Sequence, residues 1–217
     1  MSEEQRCATS RRYAAQLWDR LHGCPVCGLE YVEELESDRR LHRSHHRKVL
    51  AVSEPKPMPS LVANYTEHGQ FVPVGIFDTP RPIRQRLENM ATMFRRELHF
   101  DFPPYSADEC DDFREPAHHW LIVSEDGRPI GGFSARWRVY SNAPPRWVWA
   151  WAWVIPSERR RGYVRRCWEF LKPRSPDIEP ELPLSYPVAK FFAERSDVPE
   201  YVRTHAAKEA ALGPKAA

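Results

Sequence analysis

In TPRPIRQRLENMATMFRRELHF the apolar residues Ile83, Leu87, Met90, Phe94 and Leu98 fall three or four positions apart. That spacing predicts an amphipathic helix with one buried stripe. HHWLIVSEDGRPIGGFSARWRVY predicts two strands joined by a turn at Asp126-Gly127, because Asp-Gly suits the turns that match hairpin twist. GQFVPVGIF, RWVWAWAWVI and LPLSY predict further strands, and VPEYVRTH is expected to close the sheet. RRCWEFLK, after the turn PSERRRGYV, and PVAKFFAERS predict two more helices. At the N-terminus, SEEQRCATSRRYAAQLWDRL spaces Tyr13, Leu17 and Leu21 as a helix does.

Alternation along the tryptophan strand sets Trp147, Trp149, Trp151 and Trp153 on one face. Val148, Ala150, Ala152 and Val154 take the other. Neither face is polar, so a central strand covered on both sides is expected. The stripe is read as core, with base stacking the minority alternative.

The Pro-rich break SEPKPMPS divides the chain. Residues 1–54 form an N-terminal helix with a Cys/His module, 55–205 a larger domain, and 206–217 a frayed tail. A chain of 217 residues can hold one sizeable core with such a module attached. Lys and Arg total 32 against 30 for Asp and Glu, a net charge of +2 that gives no bulk attraction to DNA or anionic lipid. The longest apolar run, WVWAWAWVIP, falls short of the roughly 20 residues a membrane helix needs, so no membrane partner is expected. No apolar run follows MSEEQRCATSRR, and no secretory leader is expected. Of the five cysteines only Cys24 and Cys27 are close in sequence, which favours metal binding in a reducing, cytoplasmic compartment (nuclear in a eukaryote).

CPVCGLEYVEELESDRRLHRSHH carries the pattern C-x2-C-x14-H-x3-H at Cys24, Cys27, His42 and His46. Tetrahedral zinc takes four N/S ligands from two tight local pairs. CPVC suits a knuckle, with Gly28 relieving the backbone, and i,i+4 histidines share one helical face. His45 lies off that face as a reserve ligand. A single finger, rather than a tandem array, favours a structural clip over DNA reading.

WVIPSERRRGYVRRCWEFL places Arg159, Arg160, Arg161 and Gly162 between a strand and a helix. Free amides and the helix dipole make such a turn a seat for phosphate oxygens. The turn matches the Q/R-x-x-G-x-G/A pyrophosphate loop of acetyl-CoA-dependent N-acetyltransferases at Arg159 and Gly162, and departs from it at Val164.

On these residues the chain resembles the sister-chromatid cohesion acetyltransferases, from about residue 24 to 196. CPVCG with the spacing to His42 and His46, WVIPSERRRGYV and LSYPVAKFFA carry the likeness. The resemblance implies an α+β, GNAT-like domain with a mixed, mostly antiparallel central sheet flanked by helices, behind a small Cys2His2 zinc finger. It implies acetyl-CoA and Zn2+ as cofactors. Ala152, Trp153 and Val154 would hold the pantetheine arm, and Arg159, Arg160, Arg161, Gly162, Tyr163 and Val164 the pyrophosphate. Ser185, Tyr186 and Pro187 would border the acetyl group.

Ser185 and Tyr186 are thus the catalytic candidates, but Tyr186 stands where the family carries its catalytic Asp. With a pKa near ~10, a tyrosine is a poor base and serves better as an acid toward the leaving thiolate. Asp177, Glu179 and Glu181 are candidate bases. His118 and His119 are expected at an edge or surface, and Cys167 buried. Cys110 falls in an acidic loop.

The expected activity is acetyl transfer to a primary amine, of a protein lysine or a small amine, in a ternary complex. The finger would brace the catalytic domain or help hold the acceptor. The alternatives are an inactive acyl-CoA-binding module and a nucleic-acid-binding protein using the finger helix and the arginine turn.

Overall fold

The computed structural model describes residues 20–75, 77–98, 104–108, 116–141 and 143–213. Most of the expected N-terminal helix, with Cys7 and Cys110, lies outside them; Leu21, its last apolar position, opens a strand instead. The chain divides into two compact units, Met1–Pro55 and Lys56–Ala217.

In the first unit, β1 (Leu21–Gly23) pairs antiparallel with β2 (Glu30–Val32). The turn between them closes with Gly28 N–H donating to Cys24 O at 2.8 Å and Cys24 N–H to Leu29 O at 3.0 Å. Gly28 sits at φ 70°, where a Cβ would be strained. Helix α1 (Glu36–Ser53) follows, its start held by Asp38 Oδ2 accepting from Val32 N–H at 3.1 Å.

The second unit holds a five-stranded sheet in the order β3 (Phe71–Pro73), β4 (Ala117–Val123), β5 (Pro129–Tyr140), β6 (Ala143–Val154), β7 (Glu179–Pro180). All neighbours run antiparallel except β6 and β7, which are parallel. Before β3 stands α2 (Pro59–His68), unforeseen because its proline reads as part of the break. At the first helical position the missing N–H costs nothing, so Pro59 starts the helix. Helix α3 (Arg81–Leu98) buries the stripe Ile83, Leu87, Met90 and Phe94, as its spacing predicts.

The opposite face of the sheet is covered by α4 (Tyr163–Leu171) and α5 (Tyr186–Ala193). Trp168 of α4 is fully buried and meets Phe192 of α5 edge-on at 4.8 Å, with Trp149 of β6 within 6.0 Å. Burying so large a ring contributes roughly 3 kcal/mol.

The tryptophan strand departs from simple alternation. Ser134 pairs with Trp151 and the next residue, Ala135, with Trp149, so Ala150 is an extra residue on β6. Such a bulge inverts the faces beyond it. Trp149 therefore packs toward α4 and α5, whereas Trp151 meets Phe94 of α3 at 5.7 Å.

Three other expectations change. LPLSY is not a strand: Glu181 N–H donates to Trp149 O at 3.0 Å, so pairing occurs just before it, and Pro180 and Pro183 lack ladder donors. VPEYVRTH does not close the sheet but begins α6 (Glu200–Leu212), and the expected tail from 206 lies largely within that helix. Pro199 precedes its first turn, and Val202 and Ala206, one turn apart, bury fully. His119 is buried against Tyr105 (4.6 Å between rings) rather than at the surface, while His118 is exposed.

Asp197, in the turn between α5 and α6, gives this packing a pH signature. Its carboxylate accepts from Arg195 at 2.6 and 2.7 Å and from the Trp168 indole at 2.8 Å. The Arg195 hydrogen bonds draw its pKa down to about 2. A carboxyl depressed on folding stabilises the fold above its unfolded value, near ~3.9, and that contribution is lost as pH falls through about 2. Asp197→Asn is therefore expected to lower the melting temperature at pH 5 to 7 and to close the gap to wild type between pH 4 and 2. Parallel melting curves over that whole range would contradict the assignment.

Candidate active site and metal centre

Hairpin and helix bring four side chains of the first unit together. Ligand atoms of Cys24, Cys27, His42 and His46 all lie within 4.8 Å of one another, with Cys24 Sγ 3.4 Å from His46 Nδ1. His42 Nε2 is buried with no hydrogen-bond partner among the described residues, and its ring stacks on Tyr31 at 4.1 Å. The Cys24 thiol is pulled down to about 5, first by a backbone hydrogen bond at Cys27 and then by His42, while burial pushes Cys27 up. A set of two thiols and two imidazoles with an orphaned buried ring nitrogen fits a tetrahedral divalent ion. His45 is not in the group. On the same helix Arg39, Arg40 and Arg43 converge on Glu36 at 2.6, 3.0 and 3.1 Å, which neutralises part of its basic surface.

The second constellation forms where β6 and β7 part. Among the described residues they pair only at Val148–Glu179 and Trp149–Pro180, and no described strand lies beside the edge of β6 from Ala150 to Val154. Ile155 N–H donates to Ile130 of β5 at 2.9 Å. Successive strand residues send their amides and carbonyls to opposite sides, so Ala152 and Val154 direct theirs to the opened edge. A cleft of about 310 Å³ lies along it. Its apolar walls include Phe94, Leu98, Trp149, Trp151, Leu184 and Val188, and its polar groups among the described residues are Arg136, Arg138, Glu181 and Ser185.

Beyond Val154, a single 3-10 turn (Pro156–Glu158) leads into the arginine loop. Arg160 at φ 63° and Gly162 at φ 78° are both left-handed, and Gly162 caps α4. A Cβ on Gly162 would meet nothing within 4 Å, so the bend is open. Among the described residues, no protein acceptor takes the amides from Arg160 to Arg165. Two left-handed residues with free amides ahead of a helix fit a diphosphate.

The arginines differ in what they do. Arg161 pairs with buried Glu158 at 2.8 Å. Arg159 instead gives both terminal nitrogens to Glu97, at 2.6 Å each, and its Nε to Val154 O at 2.9 Å. Trp153, on the α3 face of β6, donates to the same Glu97 at 2.9 Å. Burial pulls the Glu97 carboxyl up, but hydrogen bonds from Arg159 and Trp153 overcome this and leave it below the usual range. Tyr163 is buried under the Arg166 guanidinium (4.1 Å), and Val164 is half-buried.

Of the three candidate bases, Glu181 alone lines the cleft, hydrogen-bonded by Arg138 at 2.8 Å. Glu179 pairs with Arg146 at 3.2 Å and accepts from Tyr201, and Asp177 is exposed. Ser185 borders the cleft at the start of α5. Tyr186 and Pro187 do not line it, and the Tyr186 ring instead sits 5.7 Å from the Lys190 ammonium. Glu97 and Arg138 escape sequence reasoning, since each is one polar position within a regular element.

Comparison with known families agrees with this layout. The family described as the zinc-finger of acetyl-transferase ESCO matches residues 12–48, and the Acetyltransferase (GNAT) family matches residues 85–177. Among solved structures, the tetramutant of the BH1408 protein from Bacillus halodurans is similar at 13% identity, covering 56% of this chain and 88% of that one, with a TM-score of 0.38. A single-substitution mutant of the same bacterial protein is similar at 12% identity, covering 67% and 92%, also with a TM-score of 0.38. No curated protein matches significantly. The second unit carries a GNAT acetyltransferase domain, and the protein is an N-acetyltransferase. With the ESCO-type finger ahead of it, the chain has the finger-plus-GNAT architecture of the cohesion acetyltransferases.

Proposed function

We propose that this protein transfers the acetyl group of acetyl-CoA directly to a primary amine, that of a protein lysine, in a ternary complex. The opened β6 edge carries this reading: main-chain groups of Ala152 and Val154 that no described strand pairs lead straight into a loop of free amides at Arg160–Val164. The edge pairs with the pantetheine arm, and the amides with Gly162 cradle the diphosphate.

Acetyl-CoA supplies an activated thioester when bound. Glu181, oriented by Arg138, accepts a proton from the acceptor ammonium, freeing the lone pair that forms the C–N bond. As the C–S bond breaks, the Ser185 hydroxyl relays to the departing thiolate the second proton, which the nitrogen sheds in becoming an amide. Tyr186 has no part in this assignment because it stands outside the cleft lining. Cys24, Cys27, His42 and His46 hold a structural zinc, whose ligation suits a reducing cytoplasmic or nuclear compartment.

Native mass spectrometry with and without acetyl-CoA tests both ligands at once. One zinc and one acetyl-CoA per chain are expected, and lysine peptides should be acetylated with no acetylated enzyme accumulating. An obligatory acetyl-enzyme would overturn direct transfer, and occupancy by neither ligand would overturn the reading as a whole.

A further inference from the structure

Arg159 lies across the edge that the coenzyme is proposed to use. Its Nε occupies the Val154 carbonyl at 2.9 Å, and both terminal nitrogens are held by Glu97 at 2.6 Å. The guanidinium sits 5.7 Å from the Trp153 ring, whose indole N–H also donates to Glu97, at 2.9 Å. Val154 is the last residue of β6, and its carbonyl turns to the opened edge. A pantetheine N–H pairing there competes with the Arg159 Nε for the carbonyl.

We infer that Glu97 and Arg159 form a latch over the acyl-CoA edge, which the coenzyme opens by offering its diphosphate to Arg159 in place of the Glu97 carboxylate. This rests on the coenzyme reading of the β6 edge. Arg159 begins the loop whose amides face that diphosphate, so the guanidinium exchanges one anion for another with little travel. A planar fork suits both partners, because carboxylate and phosphate each take two parallel N–H bonds. Arg159 and Glu97 side chains are 37% and 40% exposed, so solvent screens the pair and it can open. Glu97 stands in the last turn of α3, next to the cleft residue Leu98. Opening the latch therefore frees a carboxylate beside the cleft, where a cationic acceptor must approach.

The latch makes a prediction in which removing a well-formed ion pair improves binding. Closing costs every ligand of this edge the same amount, so Glu97→Gln should tighten both acetyl-CoA and S-acetylpantetheine by about fivefold. S-acetylpantetheine lacks the diphosphate, so Arg159→Met should tighten it as well. Acetyl-CoA gains from the same opening but loses its Arg159 contact, and its advantage over S-acetylpantetheine should narrow by about tenfold. Isothermal titration of the full-length zinc-loaded chain and both variants reads these constants, with thermal melts confirming folding. If Glu97→Gln weakens both ligands or leaves them unchanged, or if Arg159→Met leaves S-acetylpantetheine unchanged, the pair is a structural tie and the latch is overturned. If wild type binds acetyl-CoA, the coenzyme reading stands whichever way the variants fall. If it binds neither ligand, both readings fall.

Discussion

Glu181→Gln is expected to lower kcat for lysine-peptide acetylation by about 10²- to 10³-fold while the affinity for acetyl-CoA stays within about twofold. The substitution keeps the shape of the side chain and an oxygen able to accept from Arg138, so the cleft wall need not move. What it removes is the capacity to take a proton from an ammonium. Proton acceptance is needed because an acceptor lysine, with a pKa near ~10.4, is almost wholly protonated at neutral pH. Among the described residues the cleft lining holds one carboxylate, Glu181, and its cationic groups are the guanidinium ions of Arg136 and Arg138, which accept no proton. Raising the pH supplies free amine without help from the enzyme, so the deficit of Glu181→Gln should shrink steadily above pH 9. A purely structural role would give a deficit independent of pH. Steady-state rates from pH 6 to 10 separate the two, and an unchanged kcat at pH 7 would remove Glu181 from catalysis.

How far this site could be foreseen depends on whether its signals are local. The stripe of α3, the Asp126-Gly127 hairpin and the C-x2-C-x14-H-x3-H spacing are each set within a few turns of chain, and each is plain in the sequence. The bulge at Ala150 is not, because alternating Trp and small residues continue unbroken through it; only the register of β5 reveals the inversion. Helix α6 was hidden by a division at 205. Val202 and Ala206 fall on opposite sides of that boundary, and their shared face is visible only when the run is read through. Glu181 was one of three loop carboxylates, equivalent in sequence and separated only by where β7 leaves β6. Glu97 lies 62 residues before Arg159, and no spacing rule joins a helix end to a loop that distant.

Removing metal from the finger is expected to have the largest structural effect. The described part of the first unit buries few side chains, Cys24, Val32, Val49 and Val52, and its strands have three residues each. A two-stranded hairpin is marginal in water, and so small a core cannot offset the chain entropy of folding by itself. A structural zinc site contributes on the order of 10 kcal/mol to such modules, enough to decide whether they fold. His46→Ala removes one ligand and leaves Cys24 Sγ without its 3.4 Å neighbour, while chelation removes the ion and keeps the sequence. Either treatment should collapse the dispersed amide signals of Leu21–Ser53 in a 15N-resolved spectrum, with the β3–β7 sheet as the internal reference. Zinc added back should restore them after chelation but not in His46→Ala at equimolar metal. The assignment fails if those signals persist once the metal content has fallen to zero, since the hairpin and helix would then hold together through packing alone.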